Sequence, residues 1–518
     1  MIHRLLLVLV IFFGALISHA QSELLPCGTP PVKSKWLKAY QANPDAYEKN
    51  EGVLLYVPLT IHVTGTDAGT GYMPLSEILE GMCRLNLDFE VADLQFFIEG
   101  DINYINSSAW HFHEDIFAGT DMMNANNVDN TINSYFVNTA AGNAGYNLPH
   151  ADGTVMRRAS VGPLDHTWAH EIGHNLSVQH TFLGWEGGVW HDGSVVHSYF
   201  DPAPTTVLYD YTLFQDTLIL DTMIIDTAIV ELVDGSNCAV AADGFCDTPA
   251  DYLGFRWQCA ADSTSLQTQT DPNGVQFNSE GRYIMSYSFD NCQATFSPEQ
   301  VGAMRANLMD EKPGHLANQS PIANVIDEDA NLVSPIQNGT SQFNNTELVW
   351  NSVPGATNYI VQVNRLPNFS GTFMVVEAMT TDTTYSMTEG LLEGLTYYWR
   401  VLPYNQGYVC ATFSDGESFV ASNLVGIKPI PQLEGFSIYP NLVSSGQHFT
   451  LETNSLEPFA ANFSLYAVDG RQVLERSLDI PQGLFREQIA GASLSAGVYF
   501  GVLESEQGLA RAKIVVMD

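Results

Sequence analysis

The sequence predicts a multidomain chain, an α/β domain followed by two β-sandwich domains, and three observations lead there. Over roughly the first three hundred residues, strand-like apolar runs alternate with amphipathic stretches of helical period. A helix carrying HEIGHNLSVQH (170–180) follows the last of those strands. From about Asn331 onward the pattern becomes short apolar runs separated by Gly, Asn and Asp, which is an all-β signature. At 518 residues the chain is too long for one core, and length alone suggests ~3–4 domains.

Composition supports a folded, exported protein. Hydrophobic content is 45% and charged content 15%, the balance of a folded chain rather than a disordered one. Against 58 acidic residues stand only 20 basic ones, for a formal net charge of −38. That argues against nucleic acid as a partner, because phosphate binding needs clustered Lys and Arg. A soluble, self-repelling surface accounts for the charge, and a calcium-rich or saline extracellular setting suits it. Residues 1–20 read as a signal peptide: Arg4, an apolar run from Leu5 to Leu16, and the small-residue cleavage site Ser18-His19-Ala20. That run is too short to span a bilayer, and no other segment is apolar enough, so no transmembrane segment is expected after signal cleavage. Seven cysteines in an exported chain permit disulfides and leave at least one thiol over.

The elements follow in order. Residues 21–50 form an N-terminal segment, a candidate latency peptide. In the α/β domain (51–313), Val53–His62 reads as a strand, Leu75–Phe89 as an amphipathic helix and Leu94–Ile102 as a second strand. Ile132–Val137 and Thr154–Ala159 read as further strands, and the histidine helix comes next. Residues 187–235 read as an insertion in which Asp-Thr recurs at Asp216, Asp221 and Asp226, the pattern of a solvated β-ribbon. Residues 314–332 are a polar linker, 333–422 a β-sandwich with Trp350 among its core aromatics, and 433–518 a final β-rich module.

The chemistry concentrates on residues 170–180. Residues four apart share a helix face, so His170 and His174 can direct both imidazoles at one ion. Neutral imidazole suits zinc and leaves room for a third ligand and a water. Glu171 lies roughly 100° round the helix. From there it can serve a zinc-activated water as general base and return the proton to a leaving amine. A continuing helix would carry residue 180 about 15 Å along the axis from residue 170. His180 can therefore be the third ligand only if the helix stops and the chain turns back. His166 has ligand spacing to His170 but stands at the helix start, where a polar residue near the cap is expected. A bare HExxH also occurs as two surface histidines on a helix, so the motif needs further support.

That support comes from motifs in combination. The third His at this spacing, HTF (180–182), GFCDTPAD (244–251), and YIMSYS (283–288) followed by NCQATFSPEQVGAM (291–304) together resemble the pappalysin family of metzincin zinc peptidases, over roughly residues 50–310. The resemblance implies a metzincin-like fold, zinc on His170, His174 and His180, Glu171 as general base, and Met285 as the Met-turn beneath the metal. It also implies that Tyr287 helps hold the oxyanion, an ordinary wall aromatic being the other reading. One residue departs: Ser177 stands where the clan has a glycine, and a positive φ there would strain it by on the order of 1 kcal/mol. LVWNSVPGATNYIVQV (348–363) and LTYYWRV (395–401) resemble fibronectin type III domains. FSIYPN (436–441), DGR (469–471), LSAGVYF (494–500) and KIVV (513–516) resemble the C-terminal sorting domain of type IX secretion, with Leu442 in place of the usual second proline. This implies a Bacteroidetes-type exporter, the type IX machinery as partner, passage through periplasm and outer membrane, and removal of the module at the cell surface.

The pappalysin resemblance also implies two disulfides, Cys238–Cys259 and Cys246–Cys292, one of the three pairings that four cysteines allow. Asp243, Asp247 and Asp251 are candidate calcium ligands, with capping of loop turns an equal alternative. Cys27 in LLPCGTPP is either a latency switch, its thiolate taking zinc's open fourth position as in cysteine-switch metzincins, or a disulfide partner of Cys83. Cys410 is read as unpaired. The expected function is a secreted zinc endopeptidase acting on protein or peptide substrates, with Zn2+ and, on the aspartate reading, Ca2+. A gluzincin-type site would need a glutamate ligand from a separate helix, and Glu186 is too close to His180 to serve. The alternative of another class is a non-catalytic surface adhesin on a peptidase-like scaffold, against which the intact Glu171 speaks.

Overall fold

The structure, a computed structural model, describes residues 25–186, 198–210, 225–423, 429–491, 494–505 and 507–517. The signal peptide, Asp216 and Asp221 lie outside the described residues.

An α/β region forms the N-terminal part. Its elements are β1 (Leu25–Cys27), α1 (Lys35–Ala42), β2 (Leu55–Gly65), α2 (Leu75–Asp88), β3 (Leu94–Ile98), β4 (Asn103–Asn106), α3 (Ser108–His111), β5 (Phe112–His113), α4 (Ile116–Asn126), β6 (Ile132–Val137), β7 (Thr139–Ala140), β8 (Asn143–Leu148), β9 (Gly153–Arg157) and α5 (Thr167–Asn175). One sheet runs β3-β2-β6-β9-β8-β7-β5, with β4 also paired to β2 and β1 to β8. The β2, β3, β6 and β9 pairings are parallel, and β8 turns antiparallel to β9. Strand β2 is buried along nearly its whole length because helices cover one face and polar side chains fill the other. Leu59, Ile61 and Val63 enter the main core, while Thr60, His62 and Thr64 are buried among hydrogen-bond partners. Helix α2 meets the core through Ile78, Leu79, Met82 and Leu85, the i, i+3, i+4 stripe its sequence shows.

Only part of the N-terminal segment is separable from this core. Ser34 caps α1, accepting from Leu37 N at 2.9 Å, and Trp36, Leu37 and Tyr40 are buried in the same cluster as β2. Residues 25–34 instead begin with β1, which adds to the sheet along β8.

The insertion contains an antiparallel ribbon, β10 (Thr206–Asp210) with β11 (Ile225–Ile229), and of the three Asp-Thr repeats the one at Asp226 lies in it. A second hairpin, β12 (Thr264–Thr270) and β13 (Gln276–Glu280), precedes α6 (Pro298–Asp310), which starts with a capping box from Ser297 and Gln300.

Two sandwiches follow. The first has sheets of three and five strands built from β14 (Leu332–Ser334), β15 (Gly339–Gln342), β16 (Thr346–Trp350), β17 (Asn358–Asn364), β18 (Met374–Thr380), β19 (Thr384–Met387), β20 (Thr396–Tyr404) and β21 (Glu417–Ser422). Trp350 and Trp399 fill its centre. The second, between residues 433 and 517, is likewise a three-stranded sheet on a five-stranded one, and Phe449, Phe463 and Ile514 lie in its core.

The first sandwich is not a bead on a string. Ile360, Leu402, Tyr404 and Val409 belong to the main core of the α/β region, and Ile98 N donates to Gln406 O at 2.9 Å. The polar stretch 314–332 is accordingly packed: Ile326 and Ala330 are buried in the sandwich core.

The cysteine pairings correct the sequence expectations. The disulfides are Cys238–Cys246, Cys259–Cys292 and Cys83–Cys410, and Cys27 is free and buried. The segments around Trp257 and Ser288 lie side by side in a parallel bridge, which puts Cys259 against Cys292 rather than Cys238. Cys83 points from α2 towards the sandwich, so its partner is Cys410, the residue read as unpaired, and not Cys27.

Candidate metal centre

Helix α5 ends at Asn175, and the chain then makes the turn that His180 requires. Val178 N bonds Gly173 O at 3.0 Å and Ser177 takes φ +72°. Serine thus occupies the left-handed position where a glycine would be unstrained, steadied by Asn307 Nδ2 donating to its hydroxyl at 3.2 Å.

The turn brings three imidazoles together. His174 Nε2 lies 3.1 Å from His170 Nε2 and 3.1 Å from His180 Nε2. Each Nδ1 is taken up elsewhere: His170 donates to Ile284 O at 2.7 Å and His174 to Val178 O at 2.8 Å, while His180 meets Glu186 Oε1 at 3.0 Å. Carbonyls only accept, so His170 and His174 carry their protons on Nδ1; burial raises Glu186 to about 8, and with Glu186 ionised His180 does the same, so that three Nε2 lone pairs face one another. Lone pairs that close need a cation between them. Tetrahedral zinc, with bonds of about 2.0–2.1 Å, sets nitrogens about 3.3 Å apart, so the donor set fits that ion. Burial and the neighbouring rings hold His170 at about 3 and His174 well below its usual value, and burial alone holds His180 at about 3.

Cys27 joins the cluster. Its Sγ and the three Nε2 atoms lie within 4.8 Å of one another, and this is the group of metal-ligand side chains found among the described residues. Cys27 Sγ also contacts Glu171 Oε2 at 3.5 Å and accepts from Thr29 N at 3.2 Å. Burial, then the Glu171 charge, push the thiol pKa well up in the protein alone. A coordinated dication would reverse that preference.

Glu171 is fully buried, and burial raises its pKa to about 8. Thr29 Oγ1 donates to its Oε2 at 2.8 Å and accepts from Asn147 N at 2.7 Å. Its Oε1 has no hydrogen-bond partner in the protein. Strand β1 pairs parallel with β8, Leu25 opposite Asn143 and Cys27 opposite Gly145. Gly145 is required there, since a Cβ would come 2.9 Å from Glu171 Cγ.

Met285 is fully buried beneath the helix, its sulfur so close to Gly173 that an added Cβ would lie 2.6 Å away. The glycine between the two helical histidines thus gives the methionine its place. Tyr287 packs edge-on against His180 and tilted against Phe182, and its Oη donates to Cys27 O at 3.2 Å. His166 stands at the N-cap position of α5 without a side-chain capping bond, its Nδ1 instead meeting Asp88 Oδ2 at 2.9 Å, away from the cluster.

The three aspartates do not converge on one another as ligands. Asp243 accepts from Phe245 N and Thr248 Oγ1, Asp247 from Ser297 Oγ and Glu299 N, and Asp251 from Thr181 Oγ1, Ser279 Oγ and Leu253 N. Each caps its own turn or helix end. The i to i+2 bonds of Asp243 and Asp251 are Asx turns, a signal present in DGF and DYL. Thr29 and Glu186 were not singled out as site residues by sequence, and their partners lie where no spacing rule points.

Residues 437–517 match the family described as Secretion system C-terminal sorting domain. The chain therefore carries a type IX sorting domain, is exported through the outer membrane to the cell surface or beyond, and engages that secretion machinery. No helix among the described residues is long and apolar enough to cross a membrane. Among solved structures, a promirolysin mutant of Tannerella forsythia is similar at 17% identity, covering 56% of this chain and 97% of that one, with a TM-score of 0.35. The FN1–FN3 domains of chicken CNTN1 match at 12% identity over 39% of this chain and 69% of that one, with a TM-score of 0.19. The sixth fibronectin type III domain of a human fibronectin type III domain containing protein matches at 15% identity, covering 20% and 92%, with a TM-score of 0.15. No curated protein matches the chain.

Proposed function

We propose that this chain is a secreted zinc-dependent endopeptidase of the pappalysin-like metzincin kind, held latent by its own N-terminal segment. The observation that carries the proposal is the convergence of three unprotonated Nε2 atoms beside a buried glutamate with a free oxygen. On this reading residues 51–313 are the peptidase domain, 333–422 a fibronectin type III-like domain, and 433–518 a sorting domain removed at the surface.

His170, His174 and His180 hold the zinc, with Met285 packed below. When bound, zinc supplies Lewis acidity that sharpens a water nucleophile and polarises the scissile carbonyl. Glu171 accepts the water's proton and passes it to the leaving amine. Tyr287 keeps its phenol proton and donates a hydrogen bond to the substrate carbonyl oxygen as charge builds there, which its bond to the Cys27 carbonyl prefigures. Strand β8 offers a peptide substrate an edge to pair with. In the untrimmed chain β1 covers that edge, Cys27 reaches the metal position and Thr29 engages Glu171. Removal of 25–34 uncovers all three, while α1 stays in the core.

A fluorogenic peptide assay on the trimmed chain tests the proposal. Turnover lost to a zinc chelator, restored by zinc and abolished in Glu171→Ala is expected. Turnover that resists the chelator, or none in any form, would leave the adhesin alternative standing. In the untrimmed chain Cys27→Ser should be more active than wild type; equal activity would remove Cys27 as the switch.

A further inference from the structure

We infer that Glu186 is a positioning residue for the third zinc ligand: its carboxylate fixes the ring of His180 in the orientation and tautomer that metal binding needs. This rests on the zinc-peptidase reading and gives a role to a side chain which that reading leaves unused.

The three histidines are not held alike. His170 and His174 take their register from α5 and send Nδ1 to backbone carbonyls. His180 lies beyond the helix end, on a turn with no such register. Its ring stacks on Phe182, with centroids 4.7 Å apart and planes 10° apart, and a stacked ring can still slide or flip. The Nδ1 bond to Glu186 Oε1 removes that freedom.

Glu186 is itself anchored, which a positioning residue must be. Its Oε2 accepts from Gly184 N at 2.7 Å, so the carboxylate bridges ligand and backbone within one loop. Gly184 has φ +103°, and a Cβ there would lie 2.5 Å from Ala228 Cβ. The loop is therefore pressed onto the β10–β11 ribbon. The side chain is 14% exposed, and among the described residues its ion-pair partner is His180. A carboxylate with so little water and no Lys or Arg is costly unless its acceptors are used. Here both are.

The chemistry follows from the proton. With Nδ1–H donated to Glu186, the Nε2 lone pair is left for the metal, and a carboxylate raises ligand basicity more than a carbonyl does. Glutamine cannot substitute: the bonds from His180 and Gly184 go to different carboxylate oxygens, and glutamine keeps only one of the two. Whichever it keeps, its amide turns a donor on the other.

The test is the zinc dissociation constant of the full chain, by competition with a chromophoric chelator. Glu186→Gln is expected to weaken zinc about 10- to 100-fold. In a His180→Ala background the same change should alter affinity by less than about twofold, because the ligand it orients is gone. Far-UV circular dichroism checks that each variant folds, and Glu186→Ala serves as a second variant that removes both bonds. Zinc affinity unchanged in both variants, or an equal loss with and without His180, would overturn the inference. Wild type that binds no zinc would overturn the zinc-peptidase reading itself, a result readable apart from any Glu186 variant.

Discussion

Changing Thr29 to Val removes one hydroxyl while keeping the shape of the N-terminal segment. That hydroxyl bridges Asn147 N at 2.7 Å and Glu171 Oε2 at 2.8 Å, tying the segment to both the sheet edge and the proposed general base. With Glu171 protonated both bonds are neutral and together contribute about 2 kcal/mol; with Glu171 ionised the sum rises to about 4 kcal/mol. At about 1.4 kcal/mol per tenfold, the covered-to-open ratio of the cleft falls roughly 30- to 700-fold. The other ties remain: Leu25 N to Gly142 O at 3.1 Å, Gly28 N to Gly145 O at 2.9 Å, and Cys27 beside the three imidazoles of the candidate metal centre. In a fluorogenic peptide assay the untrimmed Thr29→Val chain should gain activity by about that factor, up to the ceiling set by the trimmed enzyme. If it stays at the wild-type rate while the trimmed form is active, the hydroxyl does not hold the cleft closed and the reasoning fails.

Three further outcomes are expected. Gly173→Ala drives a Cβ to 2.6 Å from Met285 Sδ and should cost about 1–3 kcal/mol in urea unfolding, a penalty that shrinks in a Met285→Ala background. Ser177→Gly should change stability by less than about 0.5 kcal/mol, as relief of the positive φ offsets the lost Asn307 bond, whereas Ser177→Val should lose about 2 kcal/mol. Replacing Cys83 and Cys410 together by Ser opens a link across 327 residues and should lower stability by about 2–5 kcal/mol, read as the denaturant midpoint of the first sandwich.

What was legible in the sequence had short range. The i, i+4 spacing of His170 and His174 follows from helix geometry, and the need for a turn before His180 follows from the same arithmetic. Ser177 stood out because the family that the motif resembles has glycine there, and its φ of +72° is one that glycine adopts without strain. The two sandwiches announced themselves through alternation and turn residues. Asp243, Asp247 and Asp251 show the limit: the residue types suit an ion or a turn cap equally, and only the fold supplies the N–H and hydroxyl groups that each carboxylate accepts from.

The sequence by itself determined the pattern of strands and helices, the histidine and glutamate spacing on α5, and the export address at the C-terminus. These depend on neighbours within a turn or a strand, where covalent geometry limits the choices. Only the tertiary structure decided that Cys83 meets Cys410, that Thr29 reaches Glu171 across 142 positions, and that the first sandwich shares the α/β core. Such pairings are set by how whole surfaces pack. Many partners are chemically equivalent along the chain, and burial and distance choose among them only once the chain has folded.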